Sequence, residues 1–140
     1  MEIKRSPSSL PNDERQLLGS GAEARAARHL RKSGLELLHR NYRCRMGELD
    51  IVALDRVVPD NARRDNAVLV IAEVRLRSSS RYGGAAASIT VAKQRRIVRA
   101  TRHLLARYPA LQRLPVRFDA VLVPPGAGAV VWIRGAFDAY

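Results

Sequence analysis

The chain has 140 residues, a single cysteine and a formal net charge of +12 from 25 basic and 13 acidic side chains. That length suits one domain with one core and excludes two. The cysteine count excludes a disulfide scaffold, no apolar run is long enough for a membrane helix, and an apolar content of 46% is ordinary for a folded protein.

Met1 to Asn12 is polar, holds Pro7 and Pro11, and lacks the apolar centre of a signal peptide. Residues 1–12 therefore read as a flexible tail ahead of one domain at 13–140. A cytoplasmic location and no membrane partner are expected. Asp13 reads as the N-cap of a first helix that reaches about Lys32 and stops before Gly34. Leu18, Ala22, Ala26 and Leu30 recur every four residues as its inner stripe, with Glu23 on the flank.

Residues 35–43 read as a first strand and 47–54 as a second, with Cys44 to Met46 turning between them. Cys44 reads as a small half-buried side chain in a reducing compartment, with no neighbour that would activate it. In the second strand Leu49, Ile51 and Ala53 are expected to point one way, and Glu48 and Asp50 the other. Residues 56–66 contain Pro59, Asp60 and Asn61 and read as a turn or loop. Ala67 to Ala72 is a continuous apolar run, the mark of a central strand covered on both faces. It ends abruptly in Glu73-Val74-Arg75-Leu76-Arg77, where alternation puts Glu73, Arg75 and Arg77 on one face.

A Ser/Gly/Ala loop occupies 78–87. Ser88 or Thr90 caps a second helix that runs to about Tyr108, before Pro109. Its apolar stripe is Ile97, Ala100 and Leu104, with Lys93 one turn earlier on the same stripe. Residues 116–123 read as a strand, 124–128 as a turn and 129–134 as a last strand.

Three acids fall where burial is costly: Glu23, Asp50 and Glu73. A carboxylate closing a run of six apolar residues needs a cation or hydrogen bonds to offset desolvation. If the strands bearing Asp50 and Glu73 pair, the carboxylates lie side by side, and a hard divalent cation relieves their repulsion. Mg²⁺, or Mn²⁺, takes one or two carboxylates, waters and phosphate oxygens, and activates a water for attack. Lys93, or a cation two residues after Glu73, would neutralise the phosphate. The plainer alternative makes Glu73 and Arg75 a same-face ion pair and Asp50 a turn cap. Glu48 shares Asp50's face but sits at the strand's mouth, where it is solvated.

The positive charge suits a phosphate backbone, with DNA as the expected partner. Only Lys4, Lys32 and Lys93 are lysines, the other 22 basic residues being arginines. Such a skew, beside abundant alanine, also arises from genomic base composition.

Asp50 followed by Glu73-Val74-Arg75 resembles the D…(D/E)xK signature of restriction-endonuclease-like proteins. A wider pattern carries a more specific resemblance. Arg15-Gln16, Gly19, Gly21, Glu23, Ala26, Gly34, Asn41-Tyr42-Arg43, Gly47 to Ala53, Glu73-Val74-Arg75, Arg77, Lys93-Gln94 and Arg117-Phe118-Asp119 together resemble the bacterial YraN family. That family is uncharacterised and is described as a predicted endonuclease similar to archaeal Holliday junction resolvases. The resemblance spans residues 14 to 123. It implies an α/β fold, a restriction-endonuclease-like mixed β-sheet flanked by helices. It also implies that Glu23, Asp50 and Glu73 are metal ligands; it supplies no substrate of its own, but the similarity to resolvases, which work as dimers, adds branched DNA as a candidate substrate and a homodimer as a candidate assembly. Arg75 stands where the fold's usual lysine stands. Arginine keeps the charge but never becomes a neutral base. Either Arg75 only stabilises charge, or Lys93 substitutes from the helix, or catalysis is lost. The expected function is a metal-dependent endonuclease. Its rivals are a non-catalytic nucleic-acid-binding module and a protein-binding adaptor.

Overall fold

The computed structural model describes residues 14–57, 63–77 and 89–139, with side chains at 21–56, 67–77 and 89–139. The expected tail at 1–12, the Asp13 cap, the 78–87 loop and Ser88 lie outside the described residues. The elements in chain order are helix α1 (Glu14–Lys32), strands β1 (Glu36–Cys44), β2 (Gly47–Val57) and β3 (Arg63–Leu76), helix α2 (Val91–Arg107), a 3₁₀ turn at Pro109–Leu111, and strands β4 (Val116–Val123) and β5 (Val131–Phe137).

The five strands form one mixed sheet in the order β1-β2-β3-β4-β5. Every neighbouring pair is antiparallel except β3 and β4, which run parallel, with Ile71 opposite Phe118. A parallel pair needs a crossover, and α2 supplies it. The architecture is the α/β arrangement expected above, a mixed sheet flanked by helices.

Alternation along β3 decides where the helices sit. Leu69 and Ile71 pack with Ile97, Ala100 and Leu104 of α2. Val70 and Ala72 pack with Ala22, Ala26, Ala27 and Leu30 of α1. Successive residues of a strand face opposite ways, so the two helices cover opposite faces and bury the apolar run on both sides. Small side chains on α1 bring its backbone close to the sheet. Gly34, at φ 100, ends α1, with Leu35 N–H donating to Leu30 C=O at 3.0 Å and Gly34 N–H to Arg31 C=O at 2.9 Å. Thr90 caps α2, its hydroxyl accepting from Lys93 N–H at 3.1 Å. Tyr42 Oη and His103 Nδ1, 2.6 Å apart, tie α2 to β1.

Three expectations need correction. Residues 56–57 and 63–66 belong to β2 and β3, where Val57 pairs with Arg63, so the loop is shorter than 56–66. Backbone pairing extends the hairpin beyond its apolar core, and Pro59, Asp60 and Asn61 lie outside the described residues. Leu49 does not share a side with Ile51 and Ala53. It packs on the α2 side with Val52 and Leu54, while Ile51 and Ala53 pack on the α1 side. The strand turns over opposite Asn41, whose φ of 58 breaks the extended run of β1. The last strand is 131–137, not 129–134. Arg25 holds the carbonyls of Pro124 and Gly128 at 2.7 and 3.0 Å, which delays the strand's start.

A carboxylate without any exposure holds the β4–β5 end together. Asp119 Oδ1 accepts from Arg117 Nε and Gly135 N–H, each at 2.9 Å, and Oδ2 from Arg117 Nη2 at 3.0 Å and Trp132 Nε1 at 2.9 Å. Arg117 Nη2 also reaches Asp55 Oδ2 on β2 at 3.1 Å. The grip on Gly135 and Trp132 explains why β5 continues past Arg134.

Candidate active site

The β2–β3 ladder runs from the hairpin end as far as Ile51 opposite Ala72. The next residues along each strand are Asp50 and Glu73. There the Asp50 side chain takes a place in the ladder, its Oδ2 accepting from the Val74 backbone N–H at 2.9 Å. The sheet loosens at this point, and side chains from both faces can meet. Ala22, Glu23, Asp50, Glu73, Val74, Arg75 and Leu76 line one open hollow.

Asp50 and Glu73 are joined carboxyl to carboxyl by a hydrogen bond. Two carboxylates in contact cannot both be ionised cheaply, so the pair retains a proton. Burial and the neighbouring Asp50 charge push Glu73 up to about 8. Burial also raises Asp50, opposed by the Val74 N–H and the Glu73 hydrogen bond. The pair therefore holds a proton between its two carboxyls, with burial the chief cause on each side. Lys93 Nζ lies 3.7 Å from Glu73 Oε2, close enough to attract and too far for a strong hydrogen bond. That attraction does not outweigh burial.

Glu23 reaches the hollow from α1. Burial and the Asp50 charge push it up to about 7, while a hydrogen bond from Asn41 and the Arg40 charge favour its ionised form. Arg75 lines the hollow, and its charge also favours ionised Glu73. Glu48 is half-exposed and pairs with Arg43 at 3.5 Å. All five expected site residues thus meet at the opening between β2 and β3: Glu23, Asp50, Glu73 and Arg75 around the hollow, Lys93 against Glu73. Among the described residues, however, no three His, Cys, Asp or Glu side chains stand close enough to enclose an ion. Asp50 and Glu73 stand together, and Glu23, hydrogen-bonded to Asn41, lines the same hollow without completing such a group.

Asn41 entered the sequence reading only as part of the family pattern, with no place at the site, and Arg40 did not enter it at all. Positive φ in a non-glycine residue follows from backbone register, which no side-chain pattern records; Asn tolerates it best. The signal available was Asn41 inside the Asn-Tyr-Arg stretch of an otherwise regular strand.

The raised carboxyls make stability depend on pH. The folded state keeps protons on Glu73 and Glu23 up to about 8 and about 7, whereas the unfolded chain releases them near 4.5. Their contribution is intact below that unfolded value and is lost as pH rises through the folded values. In chelator, the melting temperature is expected to fall as pH rises from 4.5 through about 8, and Glu73→Gln should flatten that fall. Parallel wild-type and variant profiles would contradict the shared proton.

The family model "Uncharacterised protein family UPF0102" matches residues 22–123, a stretch that includes every residue of this site. A UPF0102 protein of Nitrosomonas europaea is 47% identical over 121 residues, covering 86% of this chain and 92% of its own length. One from Cupriavidus taiwanensis is 48% identical over 138 residues, covering 98% and 95%. One from Legionella pneumophila is 36% identical over 121 residues, covering 86% and 94%. With its sheet, its site and this similarity along most of its length, the chain belongs to the uncharacterised protein family UPF0102, the YraN family.

Proposed function

We propose that this chain is an endonuclease that cleaves phosphodiester bonds in DNA with a divalent cation, Mg²⁺ or Mn²⁺. The observation that carries the reading is the Asp50–Glu73 pair, two carboxylates forced to share a proton where the sheet opens, with Lys93 and Arg75 beside them. A fold does not need this arrangement, which costs desolvation on both groups.

The donor set fits a hard cation, because it offers carboxylate oxygens alone and its shared proton is readily displaced. Asp50 and Glu73 would hold the cation, with Glu23 at the rim of the same hollow. When bound, the cation supplies a more acidic water and offsets charge growing on the phosphate. Lys93 holds its ammonium against Glu73 and takes the role of the signature lysine from α2. Arg75, permanently charged, steadies the phosphate. The net charge of +12 favours a polyanionic substrate. Branched DNA, action as a homodimer and a cytoplasmic location follow from the sequence reading and belong to the same proposal. Among the described residues no helix is long and apolar enough to cross a membrane.

Incubation with four-way junctions, single strands and duplexes in Mg²⁺ or Mn²⁺ tests the activity directly. A prior test needs no substrate. A ligand bound only by the native state raises stability, by about 2.7 kcal/mol at a hundredfold excess over its Kd. Saturating Mn²⁺ is expected to raise the melting temperature by several degrees, and Asp50→Asn should remove that rise. An unchanged wild-type melting curve would sink the metal site.

Two observations favour a binding module instead. Arg75 occupies the usual lysine position, and Glu23 lines the hollow without completing a group of three acids. Protein that binds junctions in a salt-dependent way yet never cuts them, in wild type or Arg75→Lys, would establish that second reading.

A further inference from the structure

Helix α2 has an unusual charge composition. Its seventeen residues include Lys93, Arg95, Arg96, Arg99, Arg102 and Arg107 and no acid. Ile97, Ala100, Thr101 and Leu104 are its buried side. Arg95, Arg99 and Arg102, spaced by four and three, form a stripe on the opposite side, all exposed. Arg96 is exposed on the flank toward the β1–β2 turn, where a Cβ at Gly47 would meet its carbonyl at 3.5 Å.

This arrangement works against the helix. Arg95 and Arg99 repel at i,i+4, and no first-turn acid offsets the positive end of the dipole. Among the described residues, none of Arg95, Arg96, Arg99 and Arg102 is in an ion pair. Arg95, Arg99 and Arg102 line a shallow groove with Val91, Gln94 and Asp138. The N-terminal end of α2 lies at the acid pair, where Lys93, on the inner side of the helix, stands 3.7 Å from Glu73.

We infer that the outer face of α2 is the nucleic-acid interface: Arg95, Arg99 and Arg102 hold the sugar–phosphate backbone of one strand and lead it toward the Asp50–Glu73 pair. This rests on the nuclease reading for its direction, though not for its affinity. A helix rises about 1.5 Å per residue, so Arg95 to Arg102 covers roughly 10 Å, about three steps of 3.4 Å along one duplex strand. The guanidinium fork matches two phosphate oxygens at once. An acidic protein partner fits less well, since protein interfaces centre on aromatic and large apolar anchors, and the exposed face of α2 has no aromatic residue.

The test is binding of the full chain to a short labelled DNA duplex in chelator, over a range of salt. Arg95→Gln, Arg99→Gln and Arg102→Gln together should weaken binding by at least about tenfold. They should also lower the slope of log K against log salt by roughly 3, about 0.9 for each lost contact. A control triple on exposed α1, Arg28→Gln, Arg31→Gln and Lys32→Gln, removes the same charge and should leave that slope nearly unchanged. Glutamine keeps helix propensity, and melting curves confirm that both triples are folded. Equal losses in the two triples, no binding by the wild type, or polyglutamate competing as well as DNA would each overturn the inference. The nuclease reading is judged separately. Cleavage with unchanged affinity in the α2 triple refutes this surface and spares the enzyme. Binding that depends on the α2 triple without any cleavage refutes the enzyme and spares this surface.

Discussion

Asp119→Ala is expected to lower the unfolding free energy by about 3–5 kcal/mol, as when one partner of a buried charge pair is removed. Total stability for a domain of this size is about 5–15 kcal/mol, so the variant should melt far below wild type or fail to accumulate. The carboxylate has no exposure and accepts from Arg117 twice, from Trp132 and from the Gly135 backbone. Truncation strands those donors in the interior, and Arg117 retains only Asp55 among the partners described above. Asp119→Asn should also destabilise, because an amide turns two of its hydrogens toward groups that are themselves donors. Urea unfolding measures both. A midpoint for Asp119→Ala close to that of wild type would show that the network contributes little.

Glu73→Gln should abolish DNA cleavage, by about 10²–10³-fold or more, and leave DNA affinity nearly intact. The amide still donates to Asp50 and fills the same volume, so the fold survives, but the second anionic ligand for a cation is gone. Lys93→Met is expected to lower the rate by about 10²-fold with little change in melting temperature, since Lys93 is partly exposed and reaches Glu73 only at 3.7 Å. Arg75→Lys should alter the rate modestly if Lys93 serves as the site's lysine. Two rate measurements settle this assignment. If Arg75→Lys creates activity from none while Lys93→Met changes nothing, Lys93 has no part in the site and the enzyme needs its lysine on β3. If Glu73→Gln cuts as fast as wild type, the acid pair is not the catalytic centre.

Much of this was written locally. The apolar run from Ala67 to Ala72 announced the sheet's interior because a strand covered by helices on both faces has no polar side. The 116–123 strand has the bounds expected of it, and α2 runs from its Thr90 cap to the residue before Tyr108. Glu73 was conspicuous for the same reason: a carboxylate at the end of an apolar strand has a desolvation cost visible in one dimension. Burial leaves a periodic mark on neighbouring residues, and short-range patterns can be read from order alone. Tertiary structure decided what depends on partners distant in the chain. Asn41 adopts positive φ against β2, Leu49 turns away from Ile51, and the hairpin extends to Val57 and Arg63 because backbone groups across the sheet are there to pair. Asp119 was part of a family pattern with no role assigned to it, and its role appeared only when Trp132 and Gly135 closed on it from another strand. The shared proton of Asp50 and Glu73 is of the same kind. Two acids twenty-odd residues apart do not interact in an extended chain; strand pairing brings them into contact, and burial then sets the charge they can hold.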